Sequence, residues 1–206
     1  AKAGLNVADT RVLEVSGKDV LLVRRFDRDT HATGHPTRRH MLSAMTLLDL
    51  DEYAVRTGEA SYLELADVLR QYARDFEGDG RELFRRMVFN ILIGNTDDHA
   101  RNHACFWDGT ALDLTPGYDI CPQPRLGYSA DLAMVVGHQG RAATLNNALS
   151  QAERFGLSER EAAECVDAMK QVVEKHWKEL FAAAGMESGD IEYLAKATIL
   201  SPSIFD

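Results

Sequence analysis

Ten consecutive residues of the chain concentrate the side-chain types that carry acid–base and metal chemistry. Residues 94–103 read GNTDDHARNH and hold two carboxylates, two amides, two imidazoles and a guanidinium, directly after the apolar run Val88–Ile93. So many polar groups beside a core cost free energy unless they are paired or hydrogen-bonded. The segment therefore indicates either a functional loop or a hydrogen-bonded end of a helix.

A second polar cluster, LTPGYDI at residues 114–120, places Asp119 after a Pro-Gly turn, where it could also be a structural turn acid. The two clusters together match phosphoryl transfer. That reaction needs a carboxylate to accept the hydroxyl proton, an Asn on Mg²⁺ a few residues later, and a separate metal-binding Asp. Asp97 and Asn102 have the spacing of a kinase catalytic loop, and Asp119 lies 17 residues beyond Asn102.

The residues between these clusters predict a two-stranded ribbon. Cys105–Trp107 and 111–114 are its strands, and Asp108-Gly109 is a typical hairpin turn. The chain therefore has the order of catalytic loop, hairpin and metal Asp.

The elements that must position these residues are mostly helical. A β-hairpin is predicted first, with strands Val12–Val15 and Val20–Phe26 joined by the turn 16–19. Apart from the ribbon, it is the only predicted sheet. A polar connection at 27–37 follows, and 103–145 reads as loops with short strands. Helices are predicted over 38–49, from the Ser61 capping box to about Phe76, from an Asp79 cap through 94, from the Ser158 capping box to about Ala183, and near 188–198.

Composition limits the possible classes of protein. The chain has 206 residues, 45% of them hydrophobic, and a net charge of −9, which is unfavourable for a protein that coats nucleic acid. No membrane span or signal peptide is recognised, and three unpaired cysteines fit a reducing cytoplasm. Because the chain opens at Ala1 without Met, we expect residues upstream.

The blocks FNILIGNTDDHARN (89–102) and LTPGYDI (114–120) resemble the C-terminal lobe of the HipA-like toxin kinases, bacterial Ser/Thr protein kinases of type II toxin-antitoxin modules. The block VRRFDR (23–28) resembles the hinge strand of that family. The resemblance implies an α+β, predominantly helical, protein-kinase-like large lobe over 28–206. Residues 1–27 would be the hairpin and hinge of the small lobe.

The resemblance also implies residue roles, with ATP and Mg²⁺ as cofactors. Asp97 would be the catalytic base, in the catalytic loop 94–103. Asn102 and Asp119 would bind the metal, Asp119 from the loop 114–120. The implied nucleotide contacts are Val23, Arg24, Arg25 and Phe26 at adenine, Asp27 near the ribose, and His99, Ala100, Arg101, Asn102, Tyr118 and Asp119 in the two loops.

The implied partners are a protein substrate, for which the family suggests aminoacyl-tRNA synthetases, and a HipB-type antitoxin through which DNA would be reached. The phosphate loop and ATP-pairing Lys of the family lie upstream of the hinge, and this chain has no segment for them. We therefore expect residues 1–206 alone to be an inactive lobe of a kinase.

Other interpretations remain open at this stage. The lobe could be a non-catalytic module that binds an antitoxin or DNA. His99 and His103 are four apart and could bind zinc on a helix, but Ala100 stands where a metalloprotease has Glu. The remaining histidines of the first third of the chain, read as surface imidazoles, are His31, His35 and His40. Four arginines that recur near helical spacing are interpreted as a solvated helix face, with contact to an acidic partner or DNA as the alternative. They are Arg70, Arg81, Arg85 and Arg86.

Overall fold

The computed structural model of the protein describes residues 2–29, 37–124 and 127–206, which form an α+β fold dominated by helices. The strands are β1 (Thr10–Val15), β2 (Lys18–Val23), β3 (Arg28–Asp29), β4 (Thr37–Arg38), β5 (His40–Ser43), β6 (Ala104–Trp107) and β7 (Leu112–Leu114). The α-helices are α1 (Ala44–Leu47), α2 (Glu52–Thr57), α3 (Tyr62–Tyr72), α4 (Phe76–Ile93), α5 (Leu145–Leu149), α6 (Glu159–Ala183) and α7 (Ser188–Ala197). Short 3₁₀ turns cover Ala100–Asn102, Ala152–Phe155 and Pro202–Phe205.

The predicted hairpin is present as β1 and β2, which pair antiparallel in a two-stranded sheet. Its turn residues Ser16 and Gly17 both have positive φ, at 53° and 73°, as a tight hairpin turn requires. The second strand ends at Val23 and does not continue to Phe26. Apolar side chains of both strands are exposed, among them Val12 at 62% and Leu21 at 61%.

A second sheet, in the order β5-β6-β7, contains the predicted ribbon and one strand that the sequence did not indicate. Asp108 closes the ribbon turn by accepting hydrogen bonds from the backbone N–H groups of Thr110 and Ala111, at 2.8 and 3.0 Å. The predicted helix over 38–49 is wrong for its first half, because β5 pairs with β6 and only α1 is helical. Pairing with a strand more than 60 residues away overrides the local helical spacing.

Helix α4 crosses the centre of the molecule and begins earlier than predicted. Asp75, not Asp79, is its N-cap and accepts a hydrogen bond of 3.1 Å from the Gly78 N–H. Glycines disfavour helix interiors, which explains the late predicted start. Gly80 is required by packing, since a Cβ there would lie 2.6 Å from the Phe155 carbonyl oxygen.

Helices α3, α5 and α6 and the 3₁₀ turn Ala152–Phe155 pack against α4 and bury its apolar side chains. Ser61 caps α3, which ends at Tyr72 and not at Phe76, and Ser158 with Glu161 forms the predicted capping box of α6. The α4 side chains in the core are Leu83, Phe84, Met87, Val88, Ile91 and Leu92. Within the described residues, every helix is too short or too polar to cross a bilayer.

Candidate active site

The loop 94–103 begins where α4 ends, at a sharp reversal of the chain. Gly94 is the C-cap residue, with φ +70°, and its N–H bonds back to the carbonyl oxygens of Asn90 and Ile91. A Cβ at this position would lie 2.7 Å from the Thr198 carbonyl oxygen. Both the left-handed backbone and the close approach of Thr198 therefore call for glycine here.

A cluster of buried, hydrogen-bonded polar residues lies on the core side of the loop. Asp98 is 1% exposed and its Oδ2 lies 2.8 Å from His103 Nε2, while the Tyr62 hydroxyl donates to the same oxygen. Asn90 and Asn95 extend the cluster, with Asn95 Nδ2 donating to Asn90 Oδ1 at 3.1 Å. Burial acts to raise the pKa of Asp98, but the charge and hydrogen bond of His103 and the Tyr62 hydroxyl outweigh it and lower that pKa. Asp98 is therefore held as a carboxylate.

Asp97, unlike Asp98, is exposed to solvent. Asn102 is 7% exposed, and its Nδ2 donates to the Asp97 carbonyl oxygen at 3.4 Å. Because that bond uses the nitrogen end of the amide, the oxygen end of Asn102 is the one left for a cation. The structure thus brings Asp97 and Asn102 together on one turn.

The second loop, 114–120, is fastened by a buried arginine. Arg86 is 2% exposed; its Nη2 donates to the carbonyl oxygens of Thr115 at 2.7 Å and Asn6 at 3.3 Å, and its Nε donates to Glu82 at 2.9 Å. The Gly117 N–H donates to the same Asn6 carbonyl oxygen at 2.8 Å. One guanidinium therefore joins α4, the N-terminal segment and the loop that carries Asp119.

Two hydrogen bonds join the first loop to the second loop and to the residues that follow it. The Tyr118 hydroxyl donates to the Arg101 carbonyl oxygen at 2.7 Å, and the Gln123 N–H donates to the Gly94 carbonyl oxygen at 3.1 Å. Asp119 lies between these two ties, is exposed, and has φ 58°, a left-handed conformation that Asp tolerates better than most residues. Asp119 is therefore held beside the loop of Asp97.

The hinge block reaches this site through one side chain. Phe26 packs against Tyr118, with ring centroids 5.7 Å apart, and edge-on against Phe106 at 6.1 Å. Val23, Arg24 and Arg25 are exposed. The Arg24 N–H bonds to the Asp9 carbonyl oxygen at 2.8 Å, which leaves this strand end attached to the start of β1.

Asp27 is already engaged by its neighbours. Arg25 binds it through two hydrogen bonds, of 2.7 and 2.5 Å, and Arg28 approaches to 3.4 Å. The Arg25 hydrogen bond lowers the pKa of Asp27. A contact between Asp27 and a ribose would therefore have to replace part of this ion pair.

The stretch 99–102 divides between surface and core. Ala100 is fully buried, so its side chain belongs to the core, and only its backbone is left as a possible ligand contact. The Arg101 guanidinium is paired with Glu52 of α2. His99 is half-buried, and its Nδ1 has no hydrogen-bond partner among the described residues.

The zinc hypothesis finds no support in the geometry. His99 and His103 flank a single 3₁₀ turn and do not share a helix face, and His103 Nε2 is bonded to Asp98. Across residues 2–29, 37–124 and 127–206, no three His, Cys, Asp or Glu side chains gather into a metal-binding group. His31 and His35 lie outside the described residues.

The four arginines considered as a basic face are engaged within the protein. Their partners are the carbonyl oxygens of Glu153 and Arg154 for Arg70, Glu161 for Arg81, Ala3 and Glu82 for Arg85, and Glu82, Asn6 and Thr115 for Arg86. Arg86 was predicted on a solvated face and is instead buried, because the carbonyl oxygens of Asn6 and Thr115 and the Glu82 carboxylate take the place of water around its guanidinium. These contacts weigh against a DNA-binding face on α4.

Sequence reasoning missed the residues that support the two loops. Tyr62 and Asp98 were given no functional role, while His103 was considered only as a zinc ligand and Arg86 only as part of a basic helix face. The adjacent pair Asp97-Asp98 could have indicated a supporting residue, since successive side chains in a loop often face different surroundings, one exposed and one buried. Nothing local indicated that Tyr62, at the start of α3, would reach Asp98.

Comparison with known proteins gives one family match and several relatives. The family model described as HipA-like C-terminal domain matches residues 1–177. The Shewanella oneidensis protein named serine/threonine-protein kinase toxin HipA is 25% identical over 132 residues, which are 57% of this chain and 30% of that protein. Y4mE of Sinorhizobium fredii, whose name contains the word kinase, is 28% identical over 123 residues, 58% of this chain and 29% of that protein. The matched part spans less than a third of either relative.

A solved structure shares the fold. A chain from the complex of Shewanella oneidensis HipA, HipB and operator DNA superposes with a TM-score of 0.72 at 17% identity. The match covers 94% of this chain and 50% of that chain. The arrangement of helices and strands described above is therefore one that a solved structure also contains.

Proposed function

The chain belongs to the family of HipA-like C-terminal domains, and from that membership we propose that it is the large lobe of an ATP-dependent protein Ser/Thr kinase. The observation that carries the proposal is the hydrogen bond from the Tyr118 hydroxyl to the Arg101 carbonyl oxygen. It joins the loop of Asp119 to the loop of Asp97 and Asn102. Phosphoryl transfer requires those three residue types at one place.

Asp97 is the residue we assign as catalytic base. Its side chain is exposed, so a Ser or Thr hydroxyl of another protein can reach it. The carboxylate accepts the hydroxyl proton as the oxygen forms its bond to the γ-phosphorus, and the bond between that phosphorus and the ADP oxygen breaks. The neighbouring Asp98 is excluded from this role because it is buried and already accepts two hydrogen bonds.

Asn102 and Asp119 are the residues we assign to Mg²⁺. Amide and carboxylate oxygens are the hard donors this cation prefers, and it commonly takes only one or two protein ligands beside phosphate and water. When bound, Mg²⁺ neutralises charge on the phosphates. The free oxygen end of Asn102 and the exposed carboxylate of Asp119 fit this requirement.

The nucleotide would lie between the two loops and the hinge. We assign the backbone of Val23 to Phe26 to the adenine and Asp27 to the ribose. The remaining nucleotide contacts are assigned to His99, Ala100, Arg101 and Tyr118. The stacking of Phe26 on Tyr118 supports this assignment, since it links the hinge to the Asp119 loop. The exposed apolar side chains on the β1–β2 hairpin support residues 1–27 as part of a small lobe whose other strands would cover them.

We further propose that the protein is the toxin of a type II toxin-antitoxin module in the cytoplasm. A relative carries the name toxin HipA, and the solved neighbour comes from a complex with HipB and operator DNA. On this basis a HipB-like protein is the antitoxin and the contact to DNA runs through it. The net charge of −9 and the internal pairing of the α4 arginines agree with an indirect contact. Aminoacyl-tRNA synthetases are the proposed class of substrate.

The test is phosphotransfer from labelled ATP by the protein as its gene encodes it, with and without Asp97→Asn. Removing the base while keeping the shape of the side chain is expected to lower the rate by about 10²- to 10⁴-fold. Asp167→Asn, at an exposed position of α6, is the matched control and should leave the rate within about twofold. A near-parental rate for Asp97→Asn would refute the assignment, and an inactive parent would favour an interaction module.

A further inference from the structure

Each of the two residues of the loop that are proposed to take part in phosphoryl transfer, Asp97 and Asn102, is followed directly by a buried polar residue, which is called its anchor. Asp97 is exposed and precedes Asp98, which is 1% exposed; Asn102 precedes His103, which is 2% exposed. The two anchors meet, with Asp98 Oδ2 and His103 Nε2 2.8 Å apart. The loop is therefore closed on itself by side chains one residue away from each chemical group.

A third residue connects this closed loop to another element. Tyr62, the first residue of α3, is fully buried and donates its hydroxyl hydrogen bond to Asp98. Its ring stands edge-on to His103 with centroids 5.3 Å apart. Its own N–H donates to the Val135 carbonyl oxygen at 3.1 Å, which fastens the start of α3 to the segment downstream of Asp119.

Tyr62, Asp98 and His103 form an arrangement that packing alone does not require. A buried carboxylate costs free energy that apolar side chains of similar size would not cost, and it is tolerated only when its oxygens are hydrogen-bonded. Hydrogen bonds, unlike apolar contacts, fix direction as well as distance. The cluster is therefore suited to hold the loop backbone in one conformation.

We propose that Tyr62, Asp98 and His103 are positioning residues that set Asp97 relative to Asn102 during phosphoryl transfer. The inference rests on the proposed kinase function. A small displacement of a reacting group can cost up to about 10²-fold in rate. Because the three side chains are buried beneath the loop surface, where a nucleotide or a substrate does not reach, their loss should lower kcat and leave KM for ATP nearly unchanged.

The first experiment is steady-state kinetics of Tyr62→Phe in the protein as its gene encodes it. The change removes one hydroxyl and keeps the ring against His103. We expect kcat to fall about tenfold, with KM for ATP within about twofold. Val166→Ala, in the buried face of α6, is the control for lost stability, compared at a temperature well below both unfolding midpoints. An equal loss of kcat in both variants, or none in Tyr62→Phe, overturns the proposal.

The second experiment does not depend on catalysis. Amide hydrogen exchange over residues 95–103 should be at least about fivefold faster in Tyr62→Phe, while exchange in α6 is unchanged. Unchanged exchange in the loop overturns the anchoring role even if the parent protein is inactive. If the parent transfers no phosphate but the loop exchange rises as expected, the kinase function fails and the anchoring stands.

Discussion

The Tyr118 hydroxyl donates a hydrogen bond of 2.7 Å to the carbonyl oxygen of Arg101. Burial raises the pKa of Tyr118 to about 12, so the hydroxyl keeps its proton and remains a donor at neutral pH. The residue after Tyr118 is Asp119, and the residue after Arg101 is Asn102. One hydrogen bond thus joins the two chain segments that carry the residues proposed to share a metal ion.

Tyr118→Phe should therefore loosen the junction of the two loops. The ring can keep its contact with Phe26, while the carbonyl oxygen of Arg101 loses its donor. We expect a loss of about 1 kcal/mol in the free energy of unfolding, measured by urea denaturation. Tyr128→Phe is the control, because Tyr128 is 61% exposed, and it should change stability by less than about 0.5 kcal/mol. Equal effects of the two substitutions would contradict the role of the junction.

Mg²⁺ binding should require nucleotide. Asn102 and Asp119 offer too few oxygens for a tight all-protein site, since this cation completes its shell with phosphate and water. Calorimetric titration of the gene-encoded protein with Mg²⁺ should show binding only when an ATP analogue is present, and Asp119→Ala should weaken it. Tight Mg²⁺ binding without nucleotide that survives Asp119→Ala would contradict the assignment of this residue to the metal.

Residues 1–206 alone should fold but bind MgATP weakly. The helical core around α4 is complete, whereas the β1–β2 hairpin exposes apolar side chains on both faces. Kinase nucleotide sites also hold the phosphates with a Gly-rich loop and a Lys from the small lobe. Calorimetry on this segment should detect no micromolar binding and the transfer assay no product. Micromolar affinity would show that the lobe described here is sufficient for ATP binding.

Gly94→Ala should destabilise the protein more than a glycine substitution in open space. A non-glycine residue at φ +70° costs on the order of 1–3 kcal/mol, and the new Cβ would also lie 2.7 Å from the Thr198 carbonyl oxygen. Gly109→Ala is the control, because it has φ +98° and no atom within 4 Å of its Cβ position. The free energy of unfolding, measured by urea denaturation, should be clearly lower for Gly94→Ala than for Gly109→Ala. Equal stability of the two variants would rule out the close contact with Thr198.

The α6 capping box should contribute stability that is lost in acid. The Ser158 hydroxyl, the Ser158 N–H and Arg81 donate hydrogen bonds to Glu161, in that order of effect, and lower its pKa from 4.5 to about 2. A lowered pKa in the folded state stabilises the protein above pH 4.5, and this contribution disappears as the pH falls toward 2.

The unfolding temperatures of Glu161→Gln and the parent protein should therefore approach each other as the pH is lowered from 4.5 toward 2. The difference in unfolding temperature is expected to be largest above pH 4.5 and to vanish near pH 2. Glu179→Gln, at an exposed position of the same helix, should track the parent throughout. A difference that does not change with pH would mean that the charge of Glu161 is not involved.

Local patterns were enough for much of the molecule. The β1–β2 hairpin, the Asp108-Gly109 turn, the N-cap at Ser61 and the Ser158 capping box are all present, because each depends on residues at most 13 positions apart in the chain. The polar block after α4 was also visible, since it interrupts an apolar run. These features follow from backbone preferences and short-range hydrogen bonds.

The features that were wrong or missed depend on residues far apart in the chain. β5 is a strand because β6 lies beside it, and the glycine at position 80 inside α4 fits closely against Phe155. Tyr62 reaches Asp98 across 36 positions, and Tyr118 reaches Arg101 across 17. The sequence alone carried the types of the candidate site residues and their order along the chain. Their relative placement depended on packing. The reason is that contacts with distant partners decide which of two locally similar conformations is lower in free energy.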